Sequence, residues 1–119
     1  MNENIVRDKS FKFAVRIVNF YKLLIERKEY VMSKQILRSG TSIGANIREA
    51  QNAQSNADFI HKLSIAQKET DETLYWLELL KETEYISETE FDSLSDDCTE
   101  LLKLLRSIII TSKNKSKKL

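Results

Sequence analysis

Few side chains in this 119-residue sequence could carry out acid–base, nucleophilic or metal chemistry. His61 is the only histidine and Cys98 is the only cysteine. A zinc site needs several histidine or cysteine ligands, and a di-iron bundle needs Glu-x-x-His pairs on two helices. The sequence supplies neither set, so no metal is predicted. We expect His61 to lie on the surface or in an interface, and Cys98 to be a small buried apolar residue.

A row of polar side chains near the two glycines is the other candidate for chemistry. Ser42, Asn46 and Glu49 fall at positions i, i+4 and i+7, which puts them on one face of a helix. Such a row can hydrogen-bond to a neighbouring helix and fix its register, or it can bind a ligand. We favour the structural role. The remaining enzymatic hypothesis is a site at a subunit junction where Asn46 and Glu49 converge with His61.

The common enzyme motifs are missing. The sequence has no P-loop, no dinucleotide-binding turn after a strand and no Ser-x-x-Lys pattern. It therefore predicts no enzymatic activity and no cofactor.

Four basic residues are the candidates for phosphate contacts, namely Lys34, Arg38, Arg48 and Lys62. The formal net charge of +1 argues against a strong generic nucleic-acid-binding protein, whose domain is usually markedly basic. Aromatic residues for base stacking are also few near these positions. In a ring of subunits, however, each weak basic site is repeated and the phosphate contacts add.

One helix, which contains both glycines, must position the polar row and three of the four basic residues, all except Lys62. Its apolar face is predicted to comprise Ile36, Gly40, Ile43, Gly44, Ile47 and Ala50. Glycine inside a helix costs about 1 kcal/mol relative to alanine. Two glycines on one face therefore predict the close approach of another helix backbone. The alternative is a turn that breaks the helix at Gly40.

Apolar periodicity predicts four helices, at about 10–28, 31–54, 56–84 and 88–111. Ser55 with Asp58, and Ser87 with Glu90, have the spacing of capping boxes at the starts of the last two helices. Residues 1–9 are predicted to be a polar lead-in with a cap at Asp8 or Ser10. Residues 112–119 carry four lysines and are predicted to be a basic disordered tail.

The fold class follows from these helices and from the absence of proline. Long helices with short loops predict an all-α, antiparallel up-down-up-down four-helix bundle over residues 1–111. The unpaired cysteine suits a reducing compartment. The sequence shows no secretory signal and no apolar run long enough to cross a membrane, so it predicts a cytoplasmic protein.

Several large apolar residues exceed what one bundle core needs. Leu77 and Leu80 already occupy the apolar face of the third helix, so Tyr75 or Trp76 must point elsewhere. The run Ile108–Ile110 in the fourth helix gives a similar excess. These residues predict self-association. The alternative is a wide monomer core.

The motifs around Asn46 resemble those of the bacterial 23S ribosomal RNA intervening-sequence proteins, also called S23 ribosomal proteins. The matching segments are Ser42-Ile43-Gly44-Ala45-Asn46-Ile47-Arg48-Glu49, Ser55 with Asp58-Phe59, and Ile65-Ala66 with Glu69 and Glu72. The resemblance covers nearly the whole chain in order. It departs at Glu49-Ala50, where many relatives have Glu-Gly, and at Glu29-Tyr30, where relatives have Phe-Pro.

This resemblance implies an antiparallel bundle that assembles into a homopentamer. It also implies a non-enzymatic, nucleic-acid-associated protein, because similar proteins act with RNA and a reverse transcriptase in diversity-generating retroelements. We therefore expect a self-associating protein whose phosphate contacts are made by the four basic candidates with help from the tail. The expected partners are other copies of the chain and RNA or single-stranded nucleic acid, but not a membrane. The alternative is a protein-interaction adaptor that does not bind nucleic acid.

Overall fold

The computed structural model describes residues 2–117. Within this range the chain forms four helices and no strand, with bounds α1 Asn2–Glu26, α2 Met32–Gln51, α3 Asn56–Glu82 and α4 Glu88–Lys117. The helices contact one another in a closed order, α1 with α2, α2 with α3, α3 with α4 and α4 with α1. Together they make a rod of 52 × 21 × 20 Å. The predicted all-α class with four helices is confirmed, and the packing agrees with the predicted bundle.

Neighbouring helices are antiparallel, because the loops between them are only four or five residues long. The ends of α1 and α4 show this directly, since Arg27 just after α1 pairs with Glu90 at the start of α4. At the opposite end of the rod, the Asn56 side chain at the start of α3 donates to the Ser112 carbonyl oxygen near the end of α4.

The buried residues follow the predicted helical spacing. On α3 they are Leu63, Ala66, Thr70, Thr73, Leu77 and Leu80, and on α4 they include Leu94, Cys98, Leu101, Leu102, Leu105, Ile108 and Ile109. Phe59 and Phe91 are half-buried near the starts of the same two helices. Spacings of three and four residues place one continuous side of each helix against the core.

Helix α2 passes through both glycines without a break, and neither glycine has a positive φ. A Cβ atom at Gly40 would lie 2.8 Å from Cγ1 of Ile17, and one at Gly44 would lie 3.3 Å from the carbonyl oxygen of Ser10. Both neighbours belong to α1. The missing side chains therefore let α1 approach the α2 backbone, as predicted, and the alternative of a turn at Gly40 is wrong.

A carboxylate from the preceding loop caps α2. Val31 provides no side-chain cap, and the buried Glu29 carboxylate accepts hydrogen bonds from the backbone N–H of Ser33 (2.6 Å) and of Val31 (3.3 Å). A negative charge at a helix start also interacts favourably with the helix dipole. Glu29 thus replaces the usual Ser, Thr, Asp or Asn cap.

The predicted capping box at α4 is present. The Ser87 N–H donates to Oε1 of Glu90 at 2.8 Å, and the Glu90 N–H donates to Oγ of Ser87 at 3.1 Å. Two hydrogen bonds from the Arg27 guanidinium to the Glu90 carboxylate, together with the Ser87 N–H, lower the pKa of Glu90 to about 2. This one carboxylate caps α4 and also holds the end of α1 against it. At α3, Ser55 accepts from the Asp58 N–H as predicted, whereas Asp58 accepts from the N–H of Gln54.

The start of α1 differs from the predicted boundary. The segment predicted to be a polar lead-in is helical from Asn2, and Val6 is fully buried. This extra length covers the end of α2, where the Gln51 side chain donates to the Glu3 carbonyl oxygen. Ser10 is an interior helical residue that donates to the Arg7 carbonyl oxygen, so it is not the cap. Met1 lies outside the described residues.

The end of α4 also differs, because the segment predicted to be a disordered tail is helical as far as Lys117. Ser112 is buried, and Asn56 donates hydrogen bonds to the carbonyl oxygen of Ser112 and to Oγ of Ser116. Lysines in the last turn are favourable at a helix C-terminus. Residues 118–119 of the predicted tail lie outside the described range.

Candidate nucleic-acid interface

The antiparallel order collects separate chain segments at the two ends of the rod. One end contains residues 2–14, 42–68 and 100–117, and the other contains residues 15–41 and 69–99. Contacts between helices agree with this division, since Gly44 lies against Ser10 within the first end. We call the first end the basic half and the second end the acidic half.

The two halves carry opposite formal charge. The basic half has eleven Lys and Arg residues against five Asp and Glu residues, a net charge of +6. The acidic half has seven Lys and Arg residues against thirteen Asp and Glu residues, a net charge of −6. The near-zero charge of the whole chain therefore conceals a strong separation along the rod. The total charge is a poor guide to what the basic half can bind.

The four basic residues predicted to contact phosphates do not form one patch. Lys34 and Arg38 lie in the acidic half, where the Arg38 guanidinium pairs with Glu69 at 3.1 Å and also with Glu72. Lys62 lies in the basic half, with its Nζ 3.3 Å from Oε1 of Glu49. Arg48, also in the basic half, places its guanidinium carbon 5.7 Å from the centroid of the Phe11 ring.

The end of α4 supplies basic residues, and the last three of them lie in the segment that was predicted to be a disordered tail. Lys103, Arg106, Lys113, Lys115 and Lys117 are all exposed on this helix. Because they are helical, they project from a rigid element at one end of the rod. The lysines are evident in the sequence, but their fixed positions on one helix are not, because composition alone predicted disorder for this segment.

The polar row at Ser42, Asn46 and Glu49 bonds mostly within its own helix. Ser42 donates to the Arg38 carbonyl oxygen at 2.6 Å, and Asn46 donates to the Ser42 carbonyl oxygen at 2.9 Å. Only Glu49 reaches α3, through Lys62. The expected interhelical bonds from Ser42 and Asn46 are therefore wrong, because their short side chains reach the preceding turn first.

A different pair joins α2 to α3 in the core. Oγ1 of Thr73 donates to Oγ of Ser39 at 2.9 Å, and both residues are fully buried. Sequence reasoning missed this pair because Ser39 lies beside the polar row and not in it. A buried hydroxyl pair of this kind satisfies both groups and favours one register.

His61 is exposed on α3, and within residues 2–117 no hydrogen bond or ion pair joins it to Asn46 or Glu49. Cys98 is fully buried, and its Sγ donates to the Thr70 carbonyl oxygen. Burial raises the pKa of Cys98 to about 12, so it is a poor nucleophile. No group of three His, Cys, Asp or Glu residues in the described part of the chain is arranged to hold a metal ion.

Two of the apolar residues that the sequence indicated as excess, Tyr75 and Ile110, are exposed. Trp76 is half-buried against the core, and Tyr75 contacts its ring edge-on while remaining more than half exposed. On α4, only Ile110 of the three isoleucines is exposed. A further exposed row lies on α1 at Phe11, Val15 and Val18, which are spaced at i, i+4 and i+7. Helix α1 has another apolar face, which packs in the core, and the sequence alone did not show that this second row would remain exposed.

Comparison with known proteins identifies the family. The family model described as 23S rRNA-intervening sequence protein matches residues 2–107. The chain belongs to the 23S rRNA-intervening sequence protein family. The resemblance seen in the sequence is therefore confirmed.

A crystal structure from Bacteroides thetaiotaomicron VPI-5482 is similar to this member of the 23S rRNA-intervening sequence protein family. It is described as a protein with unknown function from the S23 ribosomal protein family. The two chains are 67% identical and superpose with a TM-score of 0.91, over 92% of this chain and 98% of the other. No protein with a curated description matches the chain. Among residues 2–117, no helix has both the length and the apolar character needed to cross a bilayer.

Proposed function

We propose that the protein is a non-catalytic RNA-binding subunit that self-associates and contacts phosphates with its basic half. The observation that supports this proposal most directly is the charge separation, +6 at one end of the rod and −6 at the other. Lysine and arginine side chains that meet phosphates release condensed counterions, and this release supplies most of the non-specific affinity for nucleic acid. Membership of a family described by 23S rRNA intervening sequences agrees with an RNA partner.

Only some of the basic residues suit phosphate contacts. Arg48 and the exposed lysines near the end of α4 lie in the basic half, and Lys62 lies there beside Glu49. Arg38 is paired with Glu69 and Glu72, and Lys34 lies in the same half, whose net charge of −6 repels phosphates. We therefore assign the phosphate contacts to the basic half alone.

The charge-reversal pair Lys113→Glu/Lys117→Glu tests this assignment. Both lysines are exposed, so the fold should persist while RNA affinity falls. Titration of a labelled 23S rRNA fragment, followed by fluorescence anisotropy over a salt series, gives the affinity and its salt slope. For a single-stranded fragment, losing two phosphate contacts should reduce the slope of log K against log salt by about 1.4.

The matched control is Lys22→Glu/Lys34→Glu, which makes the same charge change at exposed positions in the acidic half. It should leave the affinity close to that of the wild type. Equal losses in the two double variants, or no RNA binding by the wild type at low salt, would contradict the proposal.

Self-association is the second part of the proposal, and exposed apolar residues support it. Val15 and Val18 are exposed three residues apart on α1, and Tyr75 is exposed on α3; neighbouring exposed apolar residues, such as the two valines, are typical of interaction surfaces. A ring of parallel subunits would gather the basic halves on one rim and raise the number of phosphates contacted together. Light scattering should give a mass of about 70 kDa for a homopentamer of 13.9 kDa chains. The mass of a single chain would refute self-association.

The alternative function is a protein-interaction adaptor, and the acidic half favours it. Tyr30, Tyr75 and Tyr85 are exposed there, and tyrosine is enriched at protein interfaces. Affinity capture with and without nuclease separates the two functions. An RNA-binding protein loses partners bridged by RNA after nuclease treatment, whereas an adaptor keeps its partners.

A further inference from the structure

A groove between α1 and α2 lies in the basic half of the rod and has a volume of about 430 Å³. Its lining includes Arg7, Phe11 and Ala14 from α1, and Gly44, Ala45 and Arg48 from α2. The volume falls within the range of about 300–1,000 Å³ that is typical of small-molecule sites. A single nucleobase is small enough to enter it.

The groove exists because its floor is made of the smallest residues. Gly44 has no side chain, and Ala14 and Ala45 each contribute one methyl group. Helix α1 packs closely on Gly44, where a Cβ would lie 3.3 Å from the Ser10 carbonyl oxygen. A flat ligand can therefore reach the helix surface, and the only side chain it displaces is the flexible Arg48 over the Phe11 ring.

One wall of the groove is an aromatic ring beside a cation. Phe11 is 56% exposed, although an apolar ring gains stability from burial. The Arg48 guanidinium carbon lies 5.7 Å from the ring centroid, which is within the range of a cation–π interaction. Aromatic rings next to basic side chains are the usual platform for bases of single-stranded nucleic acid.

Charge at the groove favours an anionic ligand. Arg48 has no carboxylate within ion-pair distance in the part of the chain that the structure describes, and Arg7 pairs only with its exposed neighbour Asp8 at 3.1 Å. An exposed pair of this kind is weak, so a phosphate can compete for the guanidinium. The one carboxylate in the lining, Glu49, is paired with Lys62.

We infer that this groove binds an unpaired base of single-stranded RNA, which stacks on Phe11 while Arg48 and Arg7 contact the flanking phosphates. The inference rests on the proposed function and adds that the RNA must be single-stranded where it enters the groove. Bases in a duplex are already stacked and paired, so their faces are not available to Phe11.

Phe11→Ala tests the stacking contact. The probe is a fluorescein-labelled oligoadenylate of about 12 nucleotides, compared with a hairpin duplex of similar length. Loss of one base–aromatic stack should weaken binding of the single strand by about 5- to 100-fold. Binding of the hairpin, which depends on phosphate contacts alone, should remain within about twofold of the wild type.

Two variants serve as controls. Phe11→Tyr keeps an aromatic ring and should restore most of the affinity for the single strand. Ile5→Ala removes exposed apolar surface from the same helix and the same half of the rod, but outside the groove lining, and it should bind like the wild type. If Ile5→Ala weakens binding as much as Phe11→Ala does, general loss of apolar surface explains the effect and the proposal is overturned.

A direct readout of stacking is available through Phe11→Trp. Binding of the oligoadenylate should quench the fluorescence of the added tryptophan. The same titration of the wild-type protein measures any change at the native Trp76, and the quenching in Phe11→Trp should exceed it. Wild-type affinity in Phe11→Ala would overturn the groove site while leaving the basic-half proposal intact. Absence of binding to both probes at low salt would overturn both proposals. A fall in solution mass for Phe11→Ala would assign Phe11 to a subunit interface and overturn the groove site.

Discussion

Replacing Gly40 with alanine is expected to lower the free energy of unfolding by about 1–2 kcal/mol, although alanine is the better helix former. The added Cβ would lie 2.8 Å from Cγ1 and 2.9 Å from Cγ2 of Ile17. Both atoms are bonded to the Cβ of a fully buried, β-branched side chain, so they cannot swing aside. Overpacking costs about 1–3 kcal/mol, and contacts shorter than 3.0 Å with such a stiff side chain place this variant at about 2–3 kcal/mol, above the propensity gain of about 1 kcal/mol. Urea denaturation followed by circular dichroism measures the difference.

Gly44→Ala is the matched control, since it makes the same chemical change one turn along α2. Its Cβ would lie 3.3 Å from the nearest atom, the Ser10 carbonyl oxygen, so a shift of a few tenths of an ångström accommodates it. We expect a smaller loss, within about 1 kcal/mol of the wild type, because the propensity gain offsets the strain. A Gly40→Ala variant as stable as the wild type would contradict the close contact between Gly40 and the Ile17 side chain.

Cys98 is expected to react with thiol reagents about a thousandfold more slowly in the folded protein than in the unfolded chain. Only the thiolate reacts, and burial raises the pKa of Cys98 from 9.0 to about 12, with smaller contributions from Asp71 and Asp97. At pH 8 a rise of three units lowers the thiolate fraction by about a thousandfold. Colorimetric labelling in buffer and in concentrated urea gives the two rates. Rapid labelling of the folded protein would contradict the burial of this residue.

The same shift predicts how stability changes at alkaline pH. Below pH 9 the thiol is protonated in both states, so its contribution to stability is fully present. As the pH rises from 9 towards 12, the unfolded chain releases the proton while the folded chain keeps it, and stability falls by up to about 1.4 kcal/mol per pH unit. Cys98→Ala has no thiol and should lack this part of the alkaline slope. Lysine and tyrosine titration is common to both proteins and cancels in the comparison.

The sequence was sufficient for the interior of the bundle. Spacings of three and four residues identified the buried faces of α3 and α4, because a helix that packs on one side must repeat its apolar residues at that period. The two glycines predicted the close approach of another helix because they have no Cβ atom, and the structure shows α1 packed against both of them. The capping box at Ser87 and Glu90 was also predictable, since it depends only on residues three apart.

The ends of the rod could not be predicted in the same way. Residues near Asn2 and Lys117 are polar, and composition alone suggests disorder for such segments. Their helical state depends on tertiary contacts, from Gln51 to Glu3 at one end and from Asn56 to Ser112 at the other. These contacts join residues about fifty positions apart, which local periodicity does not report.

The candidate interface was only partly predictable. Arg48 and Lys62 were chosen from local basic spacing, but the same rule also chose Arg38, which lies between two glutamates of α3. Choosing between them requires knowing which residues of neighbouring helices face each other, and this depends on the register of the helices. The groove at Phe11 and Arg48 was missed for the same reason, since its two walls come from residues 37 positions apart in the chain.

The length of the rod gives the charge separation a consequence for how the protein meets a polyanion. At physiological ionic strength the Debye length is about 8 Å, much shorter than the 52 Å rod. The two tips are therefore screened from each other and present themselves to an approaching strand as independent bodies of opposite sign. A molecule that is almost neutral as a whole would be turned by the field of the strand during diffusion, so that one tip arrives first and the other faces away.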